Sequence, residues 1–168
     1  MYIITILSTA VLLFLDQIAK YLAVLHLKGQ ATIPIIKNVF ELQYLENQGA
    51  AFGIMQGKKT FFVIGTLIFL VIVVILYHNI PLTKRFTPIR IVAVLIVAGA
   101  IGNMIDRVVH QYVIDFFYFK LINFPIFNVA DIYVVVACIL FILLMLFYYK
   151  EEELGQIFPF MKNKKAEE

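Results

Sequence analysis

The sequence contains no tryptophan and only one cysteine, Cys138, and only 15% of its 168 residues are charged. A single cysteine cannot form an internal disulfide, and its apolar surroundings predict a packed and unreactive side chain. The only serine, Ser8, has no histidine beside it in the sequence, so a serine or cysteine nucleophile with a histidine base is excluded. The three histidines are scattered, and neither an HExxH nor a CxxC spacing occurs. The sequence therefore predicts neither a metal site nor a cofactor.

Apolar residues dominate the composition. They make up 62% of the chain, and the mean hydropathy is +0.93. A soluble domain of this length could not bury so much apolar surface, so the composition is typical of a membrane protein. The net charge of +3 is small and is not gathered into a basic face, so we expect no nucleic-acid partner.

Four segments are long and apolar enough to cross the hydrocarbon core, which takes about 20 helical residues. They cover residues 2–25, 60–77, 89–108 and 129–149. We therefore predict an all-α membrane protein with four transmembrane helices and a small β-leaning extracytoplasmic loop region. In this prediction residues 1–150 form the transmembrane domain and residues 151–168 form a charged, solvated cytoplasmic tail. Arg90 and Asp106 bound the uncharged part of the third segment, so we expect both at the membrane interfaces.

The loops between these segments differ in length and charge. The first loop, residues 26–59, is long and includes the β-leaning residues 38–45, and the third loop covers residues 109–128. Lysine and arginine are densest around the short second loop, at residues 79–88. Because cytoplasmic loops carry an excess of these residues, we expect the second loop and both termini inside and the two larger loops outside.

Polar residues gather at one membrane face in this topology. They stand at the outer ends of the first, third and fourth helices and in the two larger loops, and they are Asp16, Lys20, Asn47, Asn103, Asp106, Arg107, Asp115, Asn128 and Asp131. Reversing the orientation would not separate them. Ionisable residues in or beside a membrane are costly, so they indicate a functional site or compensated pairs.

Two helix faces carry part of this polar group. Asp16 and Lys20 stand four residues apart on one face of the first helix, which predicts a structural ion pair. A role in shaping the floor of a site is the alternative. Gly99, Gly102 and Asn103 share one face of the third helix. The glycines allow close helix packing, whereas the polar residues at its outer end could also be ordinary helix-end groups.

Asp115 and Asp131 stand on either side of the short segment that leads into the fourth helix. Two carboxyls brought within hydrogen-bond distance share one proton, because like-charge repulsion raises the pKa of one of them. One member can then act as a base and the other as an acid, which activates water against a peptide carbonyl without a metal. The alternative is that Asn128 or Asp131 caps the N-terminus of the fourth helix. Both roles are compatible for Asn128.

Five ordered motifs resemble those of bacterial lipoprotein signal peptidase, the family also called signal peptidase II. They are DQIAK at 16–20, NQGAAFG at 47–53, GNMIDR at 102–107, VIDF at 113–116 and FNVAD at 127–131. The resemblance runs from Asp16 into the fourth helix and leaves out the tail after Lys150. One departure is Ala98, which stands where the family often has a glycine.

The resemblance implies an aspartyl endopeptidase that works inside the membrane, with residues 1–150 as its catalytic domain. Such an enzyme removes the signal peptide from diacylglyceryl-modified prolipoproteins and cuts before the lipidated cysteine. Asp115 and Asp131 match the catalytic dyad of the family. The residues that hold the substrate backbone and order the dyad are matched by Asn47, Asn103, Arg107 and Asn128. Arg107 could bind substrate carbonyls or stabilise the loop through Asp106.

The resemblance also implies partners and a location. The partners are lipid-modified prolipoprotein substrates and membrane lipids, and we expect a monomer. The location is the bacterial cytoplasmic membrane, with the active site on the extracytoplasmic face. A small membrane transporter or proton-relay protein is the alternative suggested by ionisable residues in the spans, but their grouping on one face leaves no path across the membrane. A scaffold that packs through small residues would leave both aspartate motifs unexplained.

Overall fold

The structure, a computed structural model, describes residues 2–49 and 57–158. Within them, four helices are long and apolar enough to cross a membrane, which confirms the four predicted spans. They are α1 (Tyr2–Leu27), α2 (Lys59–Asn79), α3 (Thr87–His110) and α4 (Val129–Leu143), and α4 continues as a π-helical turn through Leu144–Tyr148. The observed helices extend the predicted spans by one to two residues at several ends.

The third helix lies at the centre of the bundle and contacts α1, α2 and α4. Its small residues permit this close approach. A Cβ atom at Gly99 would lie 2.6 Å from the carbonyl oxygen of Ala130, and one at Gly102 would lie 2.5 Å from Oδ2 of Asp16. The methyl group of Ala98, the departure from the family pattern, is completely buried. Both glycines therefore lie at helix contacts that a larger residue would push apart.

A small antiparallel sheet lies on the side of the bundle where α1 and α3 end. Its strands are β1 (Ile33–Ile36), β2 (Phe40–Asn47) and β3 (Val113–Tyr118), in the order β1-β2-β3. This sheet confirms the predicted β-leaning region. Strands β2 and β3 are paired so that Asn47 lies opposite Val113 and Leu45 lies opposite Asp115. The register brings the end of the first loop beside the start of the third loop.

The chain after Lys150 begins with a helix that packs against the bundle. This helix, α5 (Glu151–Ile157), buries Leu154 and Ile157 in the same apolar cluster as Phe86 and Tyr149. Arg85 donates from Nε to Oε1 of Glu153 at 2.8 Å and fixes the first turn of the helix. The expectation of a solvated tail directly after residue 150 is therefore wrong for residues 151–158, because two apolar side chains remain to be buried. Residues 159–168 lie outside the described residues.

The structure adds to the prediction for one side chain and contradicts it for another. Arg90 is 4% exposed within the protein, and its Nη2 donates to the carbonyl oxygens of Ile80 and Pro81 in the loop before α3. Cys138 is exposed on the surface of α4 and is not packed inside. The buried face of α4 repeats every seven residues at Ala130, Ala137 and Leu144, so the residue after Ala137 points away from the bundle.

Candidate active site

Asp115 lies on β3 with its carboxylate held by two asparagine amides. Asn47, at the end of the neighbouring strand, donates from Nδ2 to Oδ2 of Asp115 at 2.9 Å. Asn128 donates from Nδ2 to Oδ1 at 2.6 Å. The residue is only 1% exposed. Each carboxylate oxygen therefore has one fixed donor and keeps one further lone pair.

Asp131 lies in the first turn of α4, where it forms a capping box with Asn128. The backbone N–H of Asp131 donates to Oδ1 of Asn128, and the backbone N–H of Asn128 donates to Oδ2 of Asp131, both at 3.1 Å. Asn128 also holds Asp115, so one fully buried residue fixes both aspartates. Helix capping and ordering of the aspartates are thus combined in the same side chain, as the sequence allowed.

Asn103 connects Asp131 to the polar residues of α1. Its Nδ2 donates to Oδ1 of Asp131 at 2.8 Å, and its Oδ1 accepts from Nδ2 of Asn128 at 3.1 Å. The same Oδ1 accepts from Nζ of Lys20 at 2.9 Å. Because Lys20 can only donate, it fixes which end of the Asn103 amide faces the aspartate.

Lys20 forms the ion pair with Asp16 that the i, i+4 spacing predicted, at 3.0 Å between Nζ and Oδ2. It also pairs with Oδ2 of Asp106 at 2.9 Å. The other oxygen of Asp16 accepts from the backbone N–H of Ala130 at 2.9 Å. The pair lies directly beneath the asparagine that contacts Asp131. We call Asp16, Gln17, Lys20, Asn103 and Asp106 the Lys20 cluster.

Two members of this cluster have roles that the sequence did not reveal. Gln17 donates from Nε2 to Asp16 and to Asp106, both at 3.2 Å. Asp106 accepts from the backbone N–H of Ile114 at 3.1 Å and so ties α3 to the residue before Asp115. In the sequence, the only indication of this cluster is that three of the five residues at positions 16–20 of an apolar helix are polar, namely Asp16, Gln17 and Lys20.

Arg107 is directed toward backbone carbonyl groups. It donates from Nη2 to the carbonyl oxygen of Gly49 at 3.1 Å and from Nη1 to that of Asn103 at 3.4 Å, and its guanidinium lies 4.8 Å from the ring centre of Phe62. Asp106, the alternative partner considered from the sequence, uses its carboxylate for Lys20, Gln17 and Ile114. The rest of the NQGAAFG motif after Gly49 lies outside the described residues.

The electrostatic surroundings favour a proton on Asp115. Burial, together with the nearby charge of Asp131, raises the pKa of the Asp115 carboxyl from 3.8 to about 7, although the amides of Asn47 and Asn128 lower it. Two acidic groups that share donors in a buried setting do not both ionise at neutral pH. The pair can therefore hold one proton and one negative charge.

Both aspartates line a cavity of about 560 Å³. Its polar wall also includes Asn47, Asn103 and Arg107. The opposite wall is apolar and comes from the segment before α4 and from α4 itself, with Phe119, Ile122, Phe124, Phe127, Val135 and Val136. A cavity with one hydrogen-bonding wall and one apolar wall suits an extended peptide that enters from the bilayer.

Comparison with known proteins identifies the family. A family model described as signal peptidase (SPase) II matches residues 8–147. The chain belongs to the signal peptidase II family. It is therefore a multi-pass membrane peptidase of the aspartic type, and the family's reaction is the cleavage of lipoprotein signal peptides. This finding confirms the resemblance and the enzyme class inferred from the sequence.

Individual relatives agree with the family assignment. A lipoprotein signal peptidase of Caldanaerobacter subterraneus subsp. tengcongensis is 44% identical over 136 residues, which cover 80% of this chain and 90% of the relative. One from Clostridium novyi is also 44% identical, covering 76% and 87% of the two chains. One from Streptococcus pyogenes is 38% identical and covers 89% and 95%.

Solved structures support the fold. Two structures of a bacterial membrane enzyme, at 2.3 Å and 1.9 Å resolution, superpose on this chain with a TM-score of 0.73 and 32% sequence identity. The first covers 84% of this chain and 87% of its own, and the second covers 86% and 94%. This likeness confirms the predicted fold class of four transmembrane helices with a small sheet.

Proposed function

We propose that Asp115 and Asp131 form the catalytic dyad with which this chain cleaves the signal peptide of diacylglyceryl-modified prolipoproteins, immediately before the lipidated cysteine. The single observation that carries the proposal is that Asn128 donates to both carboxylates on the wall of one cavity. An arrangement that holds two carboxylates near each other through a shared donor residue is suited to sharing a proton.

In the proposed mechanism Asp115 is the acid and Asp131 is the base. Burial and the charge of Asp131 raise the pKa of Asp115 to about 7, so a large fraction of this carboxyl is protonated at neutral pH. Asp131 lies in the first turn of α4 and accepts a backbone N–H, and a helix N-terminus stabilises negative charge. Asp131 takes a proton from water, the resulting hydroxide attacks the scissile carbonyl carbon, and Asp115 donates a hydrogen bond to the carbonyl oxygen. The proton on the dyad then moves to the leaving amine as the peptide bond breaks.

The asparagines and Arg107 order the reacting groups in this proposal. Asn47, Asn103 and Asn128 use their amides on the aspartates, so their main role is to orient the dyad. Arg107 already donates to backbone carbonyls and is the group suited to a substrate backbone. Preorganised donors of this kind stabilise a transition state without rearranging during the reaction.

The location follows from the same reasoning. A signal peptide is an apolar helix in the bilayer, so its cleavage site meets the enzyme at a membrane face. The lysine and arginine distribution supports a site on the extracytoplasmic face of the bacterial cytoplasmic membrane, with both termini inside. The cavity is formed within one chain, so we propose that the monomer is active and contacts membrane lipids through its apolar helices.

The proposal is tested by the cleavage of a synthetic diacylglyceryl precursor peptide by the full chain in detergent. Asp115→Asn and Asp131→Asn should each lower kcat by about 10² to 10⁴, because each removes one proton-transfer group. Each variant should remain folded. The new amide keeps one of two donors and loses the other, which costs about 1 kcal/mol, while the buried charge is removed. Folding is checked by thermal unfolding and gel filtration.

The matched control is Glu46→Gln, which removes a carboxylate next to Asn47 on the same strand but paired with Lys28. It should leave turnover unchanged. A chelator should also leave cleavage intact, because two carboxylates act without a metal. Near-normal turnover of either well-folded aspartate variant, or loss of activity with the chelator that zinc restores, would contradict the dyad mechanism.

A further inference from the structure

Arg90 is a buried cation whose hydrogen-bonding capacity is only partly used. It lies in the first turn of α3, at the end of the helix far from the active site, and is 4% exposed. Its Nη2 donates to the carbonyl oxygens of Ile80 and Pro81 at 2.8 and 2.6 Å. Within residues 2–49 and 57–158, neither Nε nor Nη1 has a hydrogen-bond partner. Three N–H donors of one guanidinium are therefore unsatisfied.

The positive charge of Arg90 is also uncompensated. The ion pairs found in the described part of the chain do not include it. The ring of Tyr77, 5.2 Å from the guanidinium carbon, provides only a weak cation–π contact. The N-terminus of α3 adds positive potential at the same place. A buried charge in a membrane helix is costly when it has no counter-charge, so this position is suited to an anion.

Arg90 lines a groove of about 710 Å³ between α1 and α3. Three residues with hydroxyl groups, Thr5, Ser8 and Thr87, also line it, and the remaining lining residues are apolar. The groove extends along α3 from Thr87 to Leu95, a helix length of about 12 Å. Its edges include Ile4, Leu7 and Ile91, which are exposed on the surface that faces lipid.

We propose that this groove binds an anionic phospholipid. Nε and Nη1 of Arg90 have almost no accessible surface, so in this proposal the side chain turns toward the groove. The phosphate group then accepts hydrogen bonds from both atoms, and one acyl chain lies along the apolar part toward Leu95. A lipid fits better than a free phosphate, because a small anion would leave the apolar length of the groove empty and the groove opens to the bilayer. Arg90 and Asn103 are 13 residues apart on α3, so the lipid site is about 20 Å from the aspartates along the helix.

Native mass spectrometry of the full chain tests this assignment, with dioleoylphosphatidylglycerol and dioleoylphosphatidylcholine as probes in a neutral detergent. We expect one tightly retained phosphatidylglycerol per chain and at least about tenfold weaker retention of phosphatidylcholine, because a charge-assisted contact is worth about a factor of ten or more. Arg90→Gln should weaken the retention of phosphatidylglycerol by at least about tenfold. The shorter glutamine also loses the Nη2 contacts with the carbonyls of Ile80 and Pro81, so the folding of this variant is checked by thermal unfolding.

Two further variants separate the site from general effects. Ser8→Phe fills the groove without touching the charge and should also lower retention, even if Arg90→Gln fails to fold. Lys84→Gln removes a positive charge from an exposed residue at the same end of the bundle and should have no effect. The activity of Lys84→Gln with the precursor peptide should equal that of the unmodified chain.

Several outcomes would overturn the proposal. They are equal retention of the two lipids, unchanged retention in a folded Arg90→Gln or Ser8→Phe variant, and displacement of the lipid by inorganic phosphate at millimolar concentration.

Discussion

Lys20 is surrounded by three oxygen atoms, one for each N–H of its ammonium group. They belong to Asp16, Asp106 and Asn103, at 2.9 to 3.0 Å. Two carboxylates thus share one cation in a buried setting. The i, i+4 spacing in the sequence predicts only the first contact. The other two come from α3 and depend on packing that no local pattern encodes.

This arrangement makes the two charges of the ion pair unequal in their effect on stability. Lys20→Met should lower the free energy of unfolding by about 3 to 5 kcal/mol, because it leaves two buried carboxylates without a cation. Asp16→Asn should cost only about 1 kcal/mol, since Lys20 keeps Asp106 as its partner.

Thermal unfolding of both variants in the same detergent and pH measures the difference. A loss for Asp16→Asn as large as that for Lys20→Met would show that Asp106 does not compensate the lysine.

The protonation of Asp115 predicts how cleavage depends on pH. The carboxyl has a pKa of about 7 in the folded protein because burial and Asp131 disfavour its charge. As the pH rises through this value the dyad loses its shared proton and with it the acid, so kcat/KM should fall on the alkaline side. As the pH falls far below it the second carboxylate becomes protonated and the base is lost.

A pH profile of kcat/KM between pH 4 and pH 9 should therefore be bell-shaped, with both limbs belonging to the pair. Glu46→Gln serves as the control and should have the same profile. An activity that stays flat from pH 6 to pH 9 would rule out a protonated Asp115 as the acid.

Close packing of α3 is the main feature at the scale of the elements. Gly102→Ala would put a Cβ atom 2.5 Å from Oδ2 of Asp16, an atom fixed by Lys20. The clash should lower stability by about 1 to 3 kcal/mol and displace Asn103, the next residue. Gly65→Ala is the control, because a Cβ atom there has nothing within 4 Å, and its higher helix propensity should raise stability by up to about 1 kcal/mol.

Unfolding temperatures and cleavage rates of the two glycine variants are compared directly. Equal stability of Gly102→Ala and Gly65→Ala would mean that α1 and α3 can move apart without any loss of stability.

The elements differ in how far the sequence determines them. The helices follow from hydropathy, since no other backbone satisfies its hydrogen bonds in lipid. The β-leaning residues 38–45 correspond to β2, where apolar and polar residues alternate from Phe40 to Tyr44. Strand β1 lies before this stretch and has no such alternation; a turn that contains Asn38, with a φ of 60°, joins the two strands. Helix α5 was not predicted, because three consecutive glutamates at 151–153 are typical of a solvated segment. Its buried residues, Leu154 and Ile157, pack in a cluster with residues that are distant in the sequence. Burial of Arg90 likewise depends on the carbonyls of the preceding loop.

The whole molecule predicts a labelling pattern in the membrane. The start of α2 and the end of α3 lie on the same side as the sheet, and the loop before α3 lies on the other. In a Cys138→Ala background, cysteines at Lys58 and Gln111 should react with an impermeant thiol reagent in intact cells, and a cysteine at Lys84 should not. Cys138→Ala is a mild background because the thiol is exposed on the lipid-facing surface of α4.

Labelling of all three sites after permeabilisation is the control for reactivity. External labelling at Lys84 would reverse the proposed orientation.

The Lys20 cluster also bears on how the chain enters the membrane during synthesis. Asn103 lies 83 residues beyond Lys20, so α1 leaves the ribosome and meets the translocon long before α3 exists. A lone lysine or aspartate at mid-helix opposes insertion by about 2.5 to 3.5 kcal/mol. Asp16 and Lys20 lie four residues apart on α1. Each charge can therefore neutralise the other until α3 has been synthesised. Asp106 and Asn103 contact Lys20 only after α3 has inserted. These contacts complete the Lys20 cluster beneath Asp115 and Asp131.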